Sequence, residues 1–150
     1  MRTLYLGRCV RLSDFGLAHL AALHQLQCLD LCWCEQISDF GVQHLANLLG
    51  LTSLSLDGCE ISDLGLAHLS GLQELQLLSL ERCINVSDDG LLHLADLTQL
   101  HSLNLSHCIN ITDFGLQHLA DLPSLRDVCA EDSGVSEEAL AAFLEQRQKA

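Results

Sequence analysis

The sequence is poor in positive charge. Its 150 residues contain seven Lys and Arg against 20 Asp and Glu, which gives a net charge of −13 at pH 7. No Lys or Arg occurs between Arg11 and Arg82, although this stretch holds nine acidic residues. Such a surface would repel a phosphate backbone, so we expect no nucleic-acid partner. For the same reason we expect no binding to an anionic membrane surface.

Long apolar runs are also missing, although 49% of the residues are hydrophobic. No stretch approaches the roughly 18 apolar residues that a membrane-spanning helix requires. The first six residues already belong to a repeat and do not resemble a secretory signal. We therefore expect a cytoplasmic or nuclear protein that is not secreted.

Motifs of catalysis and metal binding are absent from the sequence. It has no glycine-rich phosphate loop, no nucleophile elbow and no helical pair of metal ligands. Cys32 and Cys34 flank Trp33 and would point in different directions at the end of a strand. Cys28 and Cys32 would lie about 13 Å apart, which is too far for one zinc ion. We predict that the protein is not an enzyme and has neither a cofactor nor a metal site.

One phrase of eight residues occurs five times. It begins with Ser-Asp or Thr-Asp and ends with His-Leu, at residues 13–20, 38–45, 62–69, 87–94 and 112–119. A period of 24 or 25 residues over most of the chain predicts a solenoid of tandem repeats. Each phrase predicts a short helix, because its Ser or Thr suits the N-cap and its Asp suits the positive end of the helix dipole.

A second phrase, Leu-x-x-Leu-x-Leu-x-x-Cys, lies between these helices. Complete copies begin at Leu26, Leu51, Leu75 and Leu100. Alternate leucines point the same way on a strand, so each copy predicts one short strand. The recurring cysteine is predicted to point inward as a reduced thiol that donates weakly to a loop carbonyl. Repeat three is one residue shorter after Cys59, which predicts a tighter loop there.

The two phrases together resemble the leucine-rich repeat family over nearly the whole chain. Cys followed by Ile-Ser-Asp or Ile-Thr-Asp resembles the cysteine-containing subtype, found in F-box leucine-rich repeat proteins and bacterial leucine-rich repeat proteins. Leucine stands where that subtype often has a second cysteine late in the helix, and no F-box segment precedes the repeats. The resemblance implies an α/β solenoid of about six repeats of 24–25 residues, with parallel strands on the concave face and helices on the convex face.

The two ends of the solenoid are predicted to differ. Residues 1–135 form the repeats, and the N-terminal end has no cap. This end therefore either belongs to a longer array or is covered through association with something else. Residues 136–150 are predicted to form a C-terminal capping helix and tail, in which Phe143 covers the last repeat and Arg147 faces water.

The resemblance implies a non-catalytic protein-interaction module that binds on its concave face. It could be the substrate-recognition part of an F-box-type ubiquitin ligase adaptor; the alternative is a structural spacer or capping segment of a larger assembly. The outward candidates are Tyr5, Arg8, Asp30, Trp33, Asp57, Glu81, Arg82 and His107. Trp, Tyr and Arg are common interface anchors, and the acidic residues predict a protein partner with a basic or mixed patch. Trp33 packing on its neighbouring loop is an equally open reading. Replacing Trp33 by Ala, or Asp57 and Glu81 by Lys, is not expected to affect folding, because these side chains are predicted to point away from the core.

The helices offer an alternative surface, which we call the convex stripe. Each of its apolar residues precedes a histidine by four positions, so the two share a helical face. The stripe contains Phe15, His19, Phe40, His44, Leu64, His68, Phe114 and His118, and Asp89 interrupts it. We predict that the stripe packs between repeats; otherwise it is a lateral docking surface.

Overall fold

Six strands form one parallel sheet in the computed structural model, which describes residues 1–148. The strands are β1 Thr3–Tyr5, β2 Cys28–Asp30, β3 Ser53–Ser55, β4 Leu77–Ser79, β5 Ser102–Asn104 and β6 Asp127–Cys129. Neighbouring strands pair in chain order, and the inward Leu4 is aligned with Leu29, which in turn is aligned with Leu54. The predicted α/β solenoid with parallel strands is therefore confirmed.

A short helix follows each strand. The helices are α1 Asp14–Ala18, α2 Asp39–Val42, α3 Asp63–Leu69, α4 Asp88–Leu92, α5 Asp113–His118 and α6 Glu137–Gln148. The first two continue as 3₁₀ helices over His19–Ala22 and Gln43–Leu45. The hydroxyls of Ser38, Ser62 and Thr112 accept a hydrogen bond from the backbone N–H two residues later, as expected of an N-cap. Within residues 1–148 no helix is long and apolar enough to cross a membrane.

Leucines from the strands and the helices stack into one continuous core. Those of the strand phrases in repeats two to five are at most 2% exposed: Leu26, Leu29, Leu31, Leu51, Leu54, Leu56, Leu75, Leu78, Leu80, Leu100, Leu103 and Leu105. Each buried leucine contributes about 2 kcal/mol to stability relative to an exposed one. In the first repeat, Leu4, Leu6 and Leu12 are only partly buried.

The cysteines at the strand ends form a second inward row, the thiol ladder. The thiols of Cys34, Cys59, Cys83 and Cys108 donate to the carbonyls of Leu6, Leu31, Leu56 and Leu80, over 3.0–3.3 Å. Each bond joins one repeat to the preceding repeat, so the predicted inward thiols and their carbonyl acceptors are confirmed. Burial raises the pKa of Cys59 to about 12, with nearby Cys34 a smaller cause.

We expect all eight cysteines to titrate as free thiols in protein purified without reductant. The ladder thiols face carbonyl groups of the preceding repeat, so they have no need of a covalent partner. A thiol reagent should react quickly with the exposed Cys9 and Cys129 in the native protein and with the rest after denaturation. Finding six or fewer thiols after denaturation would contradict this expectation.

The loop of repeat three is tighter, as predicted. In its neighbours, the N–H of Ile37 donates to the carbonyl of Cys34 and that of Val86 to the carbonyl of Cys83, which closes a turn of four residues. In repeat three, the N–H of Glu60 instead donates to Ile37 of the preceding repeat, over 2.9 Å. The loop is therefore the part of repeat three that is one residue shorter, and the strands on either side keep their register.

Successive helices are joined by a further row of contacts, the carboxylate ladder. In each of these contacts, the Asp that starts one helix accepts two hydrogen bonds from the Ser or Thr that precedes the next helix. One oxygen accepts from the backbone N–H over 2.7–2.8 Å and the other from the hydroxyl over 2.6–2.9 Å. The pairs are Asp14–Ser38, Asp39–Ser62, Asp63–Ser87, Asp88–Thr112 and Asp113–Ser136.

The recurring glycine of the helix phrase leaves room for this carboxylate. A Cβ atom at Gly41, Gly65, Gly90 or Gly115 would lie 2.3–2.5 Å from Oδ1 of the preceding Asp. No side chain fits at that distance. The sequence predicted for this Asp a role in the helix dipole only, and the contact between repeats was not predicted.

The C-terminal helix α6 covers the last repeat, as predicted. Phe143 is buried, and Ala139, Leu140 and Leu144 pack against the core while partly exposed. Residues 149 and 150, the end of the predicted tail, lie outside the described residues.

The prediction that Arg147 faces water is wrong. Its guanidinium donates to the carbonyls of Leu119, Ala120 and Leu122, which follow helix α5. The last turn of a helix leaves such carbonyls without partners inside the helix, so a cation there is stabilised. The guanidinium carbon also lies 4.7 Å from the ring centroid of Phe143.

Candidate functional site

Each strand is followed, three residues after its end, by one residue with positive φ. These six residues, which we call the turn row, have φ between 51° and 64°: Arg8, Trp33, Gly58, Arg82, His107 and Asp132. A residue other than glycine adopts this conformation at a cost of about 1 kcal/mol. The chain nevertheless carries a larger side chain at five of the six positions. Strained residues of this kind are concentrated at functional sites.

The ring of Trp33 lies on the backbone of the next repeat. A Cβ atom at Gly58 would lie 2.6 Å from Cε3 of Trp33, so the ring occupies the space that a side chain would need. The guanidinium carbon of Arg82 lies 5.7 Å from the ring centroid, within range of a cation–π interaction. Trp33 is half-buried. The reading in which it packs on its neighbouring loop is therefore confirmed.

A groove of about 440 Å³ runs along the loops beside Trp33, and we call it the loop groove. Its lining includes Arg82, His107 and the side chains of Ile84 and Ile109, which are 49% and 63% exposed. Neither isoleucine was among the residues predicted from the sequence. Each of them directly follows a cysteine of the thiol ladder, at a position next to an inward side chain. This position could have identified them as outward residues.

The cations of the turn row are free to meet a partner. Within residues 1–148 neither Arg8 nor Arg82 forms an ion pair, and Nδ1 of His107 lies 3.5 Å from a carboxylate oxygen of Asp132. Arg8 lies on the other side of Trp33 from Arg82, in a shallow depression shared with the exposed Val10.

Acidic side chains line the strands beside the turn row. One oxygen of Asp30 accepts from the N–H of Cys32 over 2.9 Å. Asp57 accepts from the N–H of Glu81 over 2.9 Å and from the hydroxyl of Ser55 over 3.2 Å. Burial and the nearby carboxylate of Asp30 raise the pKa of Cys32 to about 11. Asp30 and Asp57 therefore hold backbone groups in place, and Asp57 does so across the junction to the next repeat.

The strand register places Tyr5 beside Asp30 and shows a further outward row. Tyr5 is 73% exposed and aligned with Asp30. Two positions before Tyr5 and Asp30, the strand register aligns a second outward row, which was not predicted from the sequence: Thr3, Cys28, Ser53, Leu77, Ser102 and Asp127. In this row Leu77 is a half-exposed apolar side chain on the concave face.

The convex stripe does not pack between repeats, so that prediction is wrong. Phe15, Phe40, Leu64 and Phe114 are 67–87% exposed. At this level successive helices are joined by the carboxylate ladder, whose Asp side chains lie against the glycine of the next helix. Of the histidines, His19 and His68 are exposed, and His44 and His118 are half-buried. The stripe is a surface feature.

The residues that the sequence singled out thus fall into three places. Arg8, Trp33, Arg82 and His107 lie together on the turn row. Tyr5, Asp30, Asp57 and Glu81 lie on or next to the strands of the concave face, and the convex stripe is apart from both. Within residues 1–148, no group of three or more His, Cys, Asp or Glu side chains could hold a metal ion.

Comparisons with known proteins agree with this architecture. A family model described as Leucine Rich repeat matches residues 51–70. No curated protein matches the chain. Among solved structures, an internalin C2 from Listeria monocytogenes is 34% identical, with a TM-score of 0.65 over 84% of this chain and 51% of its own. An internalin (inlF) from the same organism is 32% identical, with a TM-score of 0.67 over 86% of this chain and 34% of its own.

A structure of Rad7 in complex with Elc1 from yeast also matches. The identity is 23%, and the TM-score is 0.73 over 90% of this chain and 37% of the matched chain. The present chain therefore spans between a third and about half of the length of these three proteins.

Proposed function

Because the chain is a leucine-rich repeat protein, we propose that it binds a partner protein across its concave face and loop groove, with Trp33 as the anchor. Leucine-rich repeats typically serve as protein-interaction modules and are generally non-catalytic. The observation that carries the proposal is the packing of the Trp33 ring on Gly58. Beside the ring lie the exposed Ile84 and Ile109 and the guanidinium of Arg82. A ring held in place before binding loses little conformational freedom when a partner covers it.

The charges of this surface define the chemistry of the partner. Asp30, Asp57 and Glu81 make the strands negative, so basic groups of the partner would lie over them. The loop groove offers the apolar side chains of Ile84 and Ile109 together with the guanidinium of Arg82 and the carboxylates of Glu35 and Glu60. The partner accordingly presents a mixed patch, with an apolar side chain that enters the groove beside Trp33.

Two finer assignments concern the assembly and the compartment of the protein. Substrate recognition in an F-box-type ubiquitin ligase adaptor is proposed on the resemblance of the cysteine-containing repeats, and the likeness to Rad7 concerns the fold. A reducing compartment, the cytoplasm or the nucleus, is proposed because the ladder thiols bind carbonyls as S–H donors.

Trp33→Ala is expected to weaken partner binding by about 2 kcal/mol or more, or roughly 30-fold, because it removes the central aromatic anchor. The immobilised chain would first capture partners from a cell extract, and the affinity of a purified partner would then be measured by calorimetry. Trp33→Gly should weaken binding to the same extent and should be the more stable of the two variants, because glycine tolerates the φ of 59° whereas both variants lose the packing of the ring.

Phe40→Ala is the matched control for an exposed aromatic residue of the convex stripe. It should leave the affinity unchanged, and thermal melts should show that all three variants are folded. If Phe40→Ala abolished binding while Trp33→Ala left it intact, the partner would use the convex stripe and the proposed face would be wrong.

A further inference from the structure

We infer that the loop groove binds an extended segment of the partner protein, in which a basic side chain and an apolar side chain lie about 10 Å apart. The inference rests on the proposed function and names the kind of segment that the groove selects. It is carried by the order of the side chains along the groove, which is acidic at one end and apolar at the other.

Two rows of side chains form the walls of the loop groove over repeats two to five. One wall is part of the turn row: Trp33, Gly58, Arg82 and His107. The other wall, which we call the outer row, consists of the residues that directly follow the cysteines of the thiol ladder: Glu35, Glu60, Ile84 and Ile109. The groove therefore crosses the junctions between four successive repeats.

The end of the groove at repeats two and three is acidic. Glu35 and Glu60 are both exposed, and within residues 1–148 neither forms an ion pair. The amide of Asn85 donates to Glu60 over 3.4 Å, a long hydrogen bond that leaves the charge uncompensated. Two neighbouring carboxylates attract a cation, so this end favours a lysine or arginine side chain. The ring of Trp33 on the facing wall can cover the aliphatic part of that side chain.

The end of the groove at repeats four and five is apolar. Its outer row consists of the exposed Ile84 and Ile109, whose side chains are stiff because they are branched at Cβ. The amide of Asn110 donates to the carbonyl of Ile84 over 2.7 Å and holds the two loops against each other. This end is therefore preorganised for one apolar side chain. Arg82 on the facing wall repels a basic side chain from it.

The distance between the two ends determines the spacing within the segment. Neighbouring strands are about 4.8 Å apart, so the two ends, which are two repeats apart, are separated by about 10 Å. A polyproline II segment has three residues per turn and rises about 3.1 Å per residue, so side chains three positions apart point the same way at about 9 Å. A groove of about 440 Å³ has the size for a few such residues, whereas a helix is about 10 Å wide.

A second copy of the chain is a poor occupant of the groove. Two copies that each carry a net charge of −13 repel each other. No Lys or Arg occurs between Arg11 and Arg82, so most of the surface of a second copy offers no cation to the acidic end. A segment of a different protein that carries its own basic residue meets both requirements.

The test selects a displayed library of random segments of about ten residues, long enough to span the groove, on the full chain at low ionic strength. We expect enriched segments to carry Lys or Arg three positions from Leu, Ile, Val or Phe. An enriched peptide would then be synthesised and its affinity measured by fluorescence anisotropy. Its binding should weaken about fivefold when Glu35→Gln and Glu60→Gln are combined, because two ion pairs are lost. Ile109→Ser should weaken it about tenfold through the loss of apolar contact.

Matched controls lie outside the groove. Glu74→Gln combined with Asp89→Asn removes two exposed charges, and Leu92→Ser removes a side chain that is 56% exposed. Both controls should leave the affinity of the peptide unchanged. Thermal melts should show every variant folded, since all of the substituted side chains are exposed.

The outcomes separate this inference from the proposed function. Weaker binding in Trp33→Ala but not in the glutamate or Ile109 variants would overturn the inference and leave the proposed function standing. Unchanged binding in all three would overturn both. Enrichment of no segment, or of segments without a basic residue, would overturn the inference. Self-association of the wild type that Ile109→Ser abolishes would overturn it in favour of a second copy.

Discussion

Cys59→Asp is expected to lower the free energy of unfolding by about 4 kcal/mol, the largest effect of any single substitution considered for this protein. The side chain of Cys59 is 4% exposed, and its thiol donates to the carbonyl of Leu31. A carboxylate at this place would face that carbonyl without a donor to stabilise its charge. Urea unfolding followed by circular dichroism would measure the loss.

Two variants make this test specific. Cys59→Ser keeps a donor for Leu31 and should cost much less than Cys59→Asp. Cys9→Asp places the same charge at the equivalent position of the first repeat, where the side chain is exposed, and should be nearly neutral in the isolated chain. Coincident unfolding curves for Cys59→Asp and wild type would show that the thiol ladder does not point inward.

Asp63→Ala is expected to lower the free energy of unfolding by about 3 kcal/mol, because it removes two hydrogen bonds to a charged acceptor. The bonds run to the N–H and the hydroxyl of Ser87, over 2.8 Å and 2.7 Å. They join repeats three and four in the middle of the array, so their loss should also make unfolding less cooperative. Comparing urea transitions followed by fluorescence of Trp33 and by circular dichroism would detect this separation.

The chain provides a matched control for this substitution. Asp89→Ala removes the same charge from the fourth helix phrase, where the side chain is exposed and takes no part in the carboxylate ladder. It should be neutral within about 0.5 kcal/mol. Gly90→Ala should destabilise the wild type, since its Cβ would meet Asp63, and should cost less in the Asp63→Ala background. Equal effects of Asp63→Ala and Asp89→Ala would refute the role of the carboxylate ladder.

The fold could be predicted because its signals are local and repeated. Alternate leucines give a strand, a capping residue followed by Asp gives a helix start, and the period gives the stacking. The carboxylate ladder could not be predicted in this way. In the sequence, the helix dipole is a sufficient reason for Asp39 at the start of its helix. Nothing local shows that Asp39 also binds Ser62, which lies 23 residues away.

The candidate site was predicted in part for a similar reason. Trp33 and Arg82 stood out by residue type, but their positive φ had no sequence signal, because glycine marks that conformation only at Gly58. The pairing of Phe40 with His44 showed that the two share a helical face. It did not show what covers the face, which depends on the spacing of neighbouring helices.

The uniform junctions have a consequence for how such a gene can change. Asp63 meets Ser87 in the way that Asp88 meets Thr112, so the carboxylate ladder does not depend on which repeat follows which, whereas Trp33 requires the glycine of the repeat after it. Unequal crossing-over that duplicates or excises one unit of 24 or 25 codons away from the Trp33–Gly58 pair would therefore leave the carboxylate ladder complete. The length of the concave surface can vary between generations by whole repeats, while point mutations in the turn row alter what each added unit recognises.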